Sequence, residues 1–410
     1  MADISAHIIL ALNSFIAFFV ISRFGVADAR TVVALIFVLY NISYPIDSIF
    51  FGARVANFSR EFVEVGAIFT LFISCFVFGA GIINCKLGSM RNYKNSVSIH
   101  ASYKNLFLIS IIVYFLCALV YWDIALADRN ALYLEPVTSL MIAKSAVAIY
   151  FLAVIVTRID QGKISPAILL PFIAFVVVEV LVFGDRRLVA SCLLTAFVLV
   201  NSHHRVRLKF KHIVGCMFFA FVMLWVEITR YGGVFSEAIL NGATNPSLGE
   251  LGASWYVAMD IYRSVDISEV SSSSFIQSFG VLVPRFIWPD RPLAASQWFV
   301  QEFYPEIAAI GGGFAFSFPI EVLINLSIIG YIVFCFLFGL AIGVLAVSKS
   351  VVSRLSLCCI VFSIVFLPRM DSATILKSFL ISFVLLALPW CGIFVRGMVF
   401  RRNLFVKKIE

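Results

Sequence analysis

Eleven apolar runs, each close to the length a helix needs to cross a bilayer, recur along these 410 residues and leave few folds open. A crossing helix takes about 20 residues. The runs lie at about 6 to 22, 31 to 51, 62 to 83, 105 to 122, 138 to 157, 165 to 183, 187 to 201, 211 to 228, 319 to 345, 351 to 367 and 374 to 395. The seventh is short and the second is broken by Tyr44, Pro45 and Asp47, so ten to twelve spans fit the pattern. With 62% hydrophobic and 13% charged residues, the chain is too apolar for one water-soluble core. In hydrocarbon the backbone must satisfy its own hydrogen bonds, which favours helices. The sequence therefore predicts an all-α, polytopic transmembrane helix bundle with one long external loop.

A net charge of +8 could signal nucleic acid, but the basic residues sit in short loops that alternate along the chain. One set of connections carries 19 Lys and Arg, from Arg23 and Arg30 through Arg205 to Lys408, against Asp28, Asp160 and Glu410. The opposite set carries ten basic and fifteen acidic residues. The positive-inside rule makes the first set cytoplasmic, with the C-terminus inside. The first run, beginning near His7, has no basic leader and no small-residue cleavage site, so it reads as a retained span.

The organisation expected is membrane helices over 1–228, an external loop over 229–318, and membrane helices with a basic tail over 319–410. Two stretches of the loop have helical amphipathicity, Ser247 to Val265 and Leu293 to Ile307, and are expected to lie along the membrane surface. Ser271 to Ser274 reads as a break between them. Pro284, Pro289 and Pro292 preclude a continuous helix from 284 to 292.

Seven ionisable residues fall inside the runs: Asp47, Glu64, Lys144, Glu179, Glu227, Glu321 and Lys377. A charge at mid-membrane costs roughly 2.5 to 3.5 kcal/mol, so such residues face the interior and find partners. All but Glu64 lie toward the outer ends, and a polar cavity open to the outside accounts for them. Asp185, Arg186 and Arg187 form a very short outer connection, and Arg230 begins the long loop. Arginine presents a planar fork matched to phosphate oxygens, so these cations suit a lipid-linked phosphate or pyrophosphate.

No phosphate-binding loop, dinucleotide fingerprint, HExxH or paired CxxC occurs, so nucleotide and zinc chemistry lack support and no cofactor is expected. The nine cysteines lie in or beside apolar runs with no metal spacing.

The Gly184-Asp185-Arg186 turn, a long loop begun by an Arg, the PRFIWPDRP run at 284–292 and the return into Pro319-Ile320-Glu321 with Asn325 and Gly330 resemble the bacterial O-antigen (Wzy-type) repeat-unit polymerases. The resemblance implies a metal-independent glycosyltransferase at the periplasmic face of the inner membrane. A growing glycan would pass from undecaprenyl pyrophosphate onto a new lipid-linked repeat unit, and a chain-length regulator is a possible partner. On that reading Arg186 and Arg230, with Arg187, Arg285 and Arg291, hold pyrophosphate. Trp288 and Trp298 stack on sugars, and Glu321, or failing it Asp185, is the general base. An O-antigen ligase has a similar architecture but typically a histidine in its long loop, and 229–318 has none. A flippase or transporter would explain intramembrane charge without requiring so long a loop.

Overall fold

The computed structural model describes residues 2–26, 28–51, 59–83, 96–127, 138–158, 165–183, 186–204, 252–264, 274–281, 283, 287–309, 316–348, 350–364, 368 and 370–406. Every element among them is helical: α1 (Ala2–Phe24), α2 (Ala29–Phe51), α3 (Ser59–Ile82), α4 (Ser96–Ala127), α5 (Thr138–Arg158), α6 (Pro166–Val178) with a π-helical turn (Glu179–Phe183), α7 (Arg186–His204), α8 (Ala253–Ser264), α9 (Ser274–Val281), α10 (Ala295–Phe303), α11 (Pro305–Ala309), α12 (Phe318–Val347), α13 (Val351–Ile364) and α14 (Ser372–Val406).

Among the described residues, eight helices are long and apolar enough to cross a membrane. They match eight of the eleven expected spans. The seventh and tenth are shorter apolar helices, Leu188–Val200 and Val351–Ser363, and the eighth lies outside the described residues.

The chain divides into two compact units. The first comprises Met1–Leu87, Arg207–Ser348 and Ser363–Ser378. Its packing centres on α3, against which α1 and α12 run parallel. Asn13 of α1 donates to Thr70 Oγ1 at 3.2 Å, and Gly81 faces Phe24. Tyr331 of α12 donates to Ile68 O at 2.8 Å, while Gly339 and Gly343 meet Phe76 and Ala80 further along in the same direction. A Cβ at Gly339 would lie 2.0 Å from Phe76 O, and one at Gly79 2.1 Å from Phe336 O. Glycine is what lets these two backbones touch, as small residues four apart do in membrane helix pairs. Helix α2 returns antiparallel, and Asn41 donates to Asn13 Oδ1 at 3.0 Å and to Thr70 Oγ1 at 3.0 Å. These three polar side chains tie α1, α2 and α3 together inside an apolar bundle.

Helix α8 corrects an expectation. Its apolar residues do not lie against lipid: Trp255, Val257, Ala258, Met259 and Ile261 are all buried. Trp255 stacks on Tyr44 (5.4 Å, 17°) and Phe62 (5.3 Å, 26°), meets Phe69 edge-on, and donates Nε1 to Tyr40 O at 3.0 Å. The amphipathic face is satisfied by α2 and α3, an alternative that periodicity alone does not distinguish from a lipid surface.

The second unit comprises Gly88–Val206, Lys349–Phe362 and Phe379–Glu410. Helix α5 is its centre, with Val147–Val156 buried throughout. Phe151 stacks on Phe172 of α6 at 3.5 Å, and Tyr103 of α4 donates to Leu386 O of α14 at 2.7 Å. Helix α6 begins at Ser165, whose side chain accepts from Ala167 N, followed by Pro166 in the first turn.

Candidate functional site

Helix α12 starts where the sequence re-enters an apolar run. Pro319 occupies its first turn, where a missing N–H is harmless. Two residues on, Glu321 is 1% exposed. Its Oε1 accepts from Ser274 Oγ at 3.0 Å and from Ser372 Oγ at 2.6 Å, and its Oε2 accepts from Ser372 N at 2.6 Å. Ser274 opens α9, and Ser372 opens α14. One carboxylate thus joins three helices, and its oxygens face the positive end of the α14 dipole.

Asn325, one turn beyond Glu321, completes the junction. Its Nδ2 donates to Ser274 Oγ at 2.7 Å and to Glu321 O at 2.8 Å, and its Oδ1 accepts from Phe275 N at 3.2 Å. Ser278 Oγ lies 2.5 Å from Ser372 Oγ. Asp371 then caps two helices at once. Oδ1 accepts from Thr374 N of α14 at 2.9 Å, while Oδ2 accepts from Ser296 N of α10 at 3.1 Å and from Ser296 Oγ at 2.5 Å. Helices α9 and α10 are therefore fastened to α12 and α14 by two buried carboxylates and four serines.

Helix α12 is broken just past this junction. Ser327 has φ 53° and ψ −179°, a conformation normally left to glycine. Gly330 follows because a Cβ there would fall 2.7 Å from Leu326 Cβ across the break.

Among the other expected site residues, Trp288 is 44% exposed and its ring packs over Gly280 of α9, where an added Cβ would meet it at 3.3 Å. Arg291 closes the same loop, donating from Nη1 to Val283 O at 2.7 Å, and its backbone N–H reaches Trp288 O at 3.2 Å. Trp298 is half-buried, edge-on to Phe303 at 6.0 Å. No helix forms between Val281 and Ala295 among the described residues, as the three prolines require. Asp185, Arg230 and Arg285 lie outside the described residues, as do the side chains of Arg186 and Arg187, which open α7. The structure thus brings Glu321, Trp288, Arg291 and Trp298 into one unit with α9 and α10.

Glu179 and Lys144 are partners in the second unit, with Nζ 3.8 Å from Oε2 and Glu179 in the π-helical turn. The expected gathering of outer charges thus resolves, for Glu179 and Glu321, into local compensation. Asp47 and Glu227 side chains lie outside the described residues.

Two features correct the sequence reading. Ser274 is the first residue of a helix rather than part of a break. Asp371 and Ser372 were not singled out, although Asp371-Ser372-Ala373-Thr374 before an apolar run is a helix-start signature. In the same unit, Tyr304 donates to Asp260 Oδ2 at 2.5 Å, joining α8 to the α10–α11 corner. Burial, then this hydrogen bond and the nearby carboxylates, push the Tyr304 phenol up to about 12.

Fold and composition define an all-helical protein with apolar helices suited to a membrane. Comparison of the chain with protein-family models, curated proteins and solved structures finds no match.

Proposed function

We propose that this chain is an O-antigen polymerase, a glycosyltransferase at the periplasmic face of the bacterial inner membrane. The observation that carries the reading is the junction at Glu321 and Asp371. It fastens α9 and α10 to the ends of α12 and α14, at the point where the chain leaves segment 229–318. An enzyme acting on lipid-linked glycans needs such an arrangement, a polar cover fixed at the bundle end where a carrier lipid presents its pyrophosphate. The bias of Lys and Arg toward one set of loops supports placing that end outside.

In the proposed reaction, a hydroxyl of the incoming repeat unit attacks the anomeric carbon of the growing glycan. A glycosidic C–O bond forms as the anomeric C–O bond to pyrophosphate breaks. The electron pair leaves with undecaprenyl pyrophosphate, and the hydroxyl proton passes to a carboxylate. Arg186 and Arg230 neutralise the departing charge, with Arg187, Arg285 and Arg291 available to the second pyrophosphate. Trp288 offers an exposed ring to a sugar face. Trp298, half-buried, serves the same purpose from α10.

Glu321 takes a different role from the general base expected of it. Both of its oxygens are occupied by three donors and it is 1% exposed, so it positions the cover, and proton abstraction falls to Asp185. The test is glycan length in cells carrying Arg186→Ala at normal protein level. Loss of long chains is expected, and wild-type chains would remove the site assignment.

A further inference from the structure

Helix α9 has two unlike faces. Ser274 and Ser278, one turn apart, point to Glu321, Asn325 and Ser372. Ile276 and Phe279, three residues apart, are 76% and 64% exposed. The surface continues through Ile287, 64% exposed, and Trp288, whose ring lies on Gly280 beside Phe279. Four large apolar side chains therefore stand on one exposed stretch of the external segment.

The break in α12 sets their depth. From Ile328 to Val347 the helix is unbroken. At 1.5 Å per residue those residues span about 30 Å, the thickness of the hydrocarbon core. Ser327 thus marks one boundary of the hydrocarbon, and the half-helix from Phe318 to Leu326 folds back from it, with the Phe318 ring 5.8 Å from that of Phe334. An irregular turn exposed on the helix surface belongs at that boundary rather than in lipid. Ile328, Ile329, Ile332 and Val333, all exposed, begin the lipid-facing side of α12 directly after it. Helix α9 begins below this level. The Phe275 ring is 6.2 Å from Phe318 in the half-helix and 6.3 Å from Phe334, about two turns below the break.

We infer that α9 and the Ile287–Trp288 turn are immersed in the bilayer, on the hydrocarbon side of the headgroup boundary, with lipid acyl chains covering Ile276, Phe279 and Ile287. The apolar face continues the lipid-facing side of α12, and the indole of Trp288 takes the interfacial position such rings favour. The serine face stays on protein, so the helix is held there by Glu321 rather than by its own affinity for lipid.

A photo-crosslinking amino acid at Phe279 or Ile276, in full-length protein in phosphatidylethanolamine–phosphatidylglycerol nanodiscs, tests this. Glu302, exposed on α10, is the comparison site. Mass spectrometry should find lipid adducts several-fold more abundant at 276 and 279 than at 302. Equal yields at all three sites, or adducts at 276 and 279 to a second copy of the chain, would overturn the inference. All three side chains project from the surface, so the substitutions leave the packing intact, and the readout does not depend on enzymatic activity.

Discussion

Glu321 Oε2 accepts the amide proton of Ser372 at 2.6 Å, across 51 residues of sequence. A side chain near the start of one helix thereby caps the start of another, and through Ser274 it also holds the first residue of α9. Removing it leaves three buried donors without an acceptor. Glu321→Ala should therefore destabilise the junction by about 3 kcal/mol. Hydrogen exchange should accelerate across 274–281 before it does in α3.

Glu321→Gln separates positioning from proton transfer. The amide oxygen can still accept from Ser372, so polymer formation should persist at a reduced rate with an unchanged pH profile. Asp185→Asn should abolish it. A pH–rate profile that loses its acidic limb only in Glu321→Gln would return the base to Glu321.

The break at Ser327 stores strain of about 1 to 3 kcal/mol, because a non-glycine residue occupies a glycine conformation. Ser327→Gly should raise thermal stability in detergent, and Ser327→Val should lower it. Gly330→Ala should be destabilising, since its Cβ would crowd Leu326. Stability unchanged by all three would argue that the helix runs straight.

Gly339→Leu tests the parallel pair of α3 and α12. With a Cβ only 2.0 Å from Phe76 O, the helices must separate, breaking the Tyr331–Ile68 bond. Folded yield should fall sharply, whereas the same change at Gly25, which faces no neighbour, should be limited to backbone strain.

Tyr304 supplies a pH dependence where α8 meets the α10–α11 corner. Its phenol is pushed up to about 12 from 10.0 in the fold, so its contribution is fully present below pH 10. That contribution is lost as pH rises toward 12, because the folded state then binds the proton that the unfolded state has released. Asp260→Asn should lower the alkaline midpoint of Tyr304, read as the tyrosinate absorbance removed by Tyr304→Phe. No shift would mean that burial alone holds the proton.

Much of this arrangement is legible locally. Pro319 and Glu321 announce a helix start, and Asn325 falls one turn further along the same face. Asp371 before Ser372 and Thr374 is an equally local signal. What a single stretch cannot carry is the pairing, since Ser274 and Ser372 lie 47 and 51 residues from Glu321 and nothing near them specifies that distance. Trp255 shows the same limit, because its periodicity suits lipid or protein equally and only Tyr44 and Phe62 decide. Gly339 and Gly343 were readable as small residues four apart, but a span judged by length and hydropathy conceals them. The cations of the proposed site, Arg186 and Arg230, rest on the sequence.

Glycosyl transfer between lipid-linked oligosaccharides is tested most directly with purified protein in liposomes. Supplied with undecaprenyl-pyrophosphate-linked repeat units alone, it should produce a ladder of products spaced by one repeat unit, with release of undecaprenyl pyrophosphate. Transfer only after addition of a lipid A core, or movement of the substrate across the bilayer without any new glycosidic bond, would contradict it.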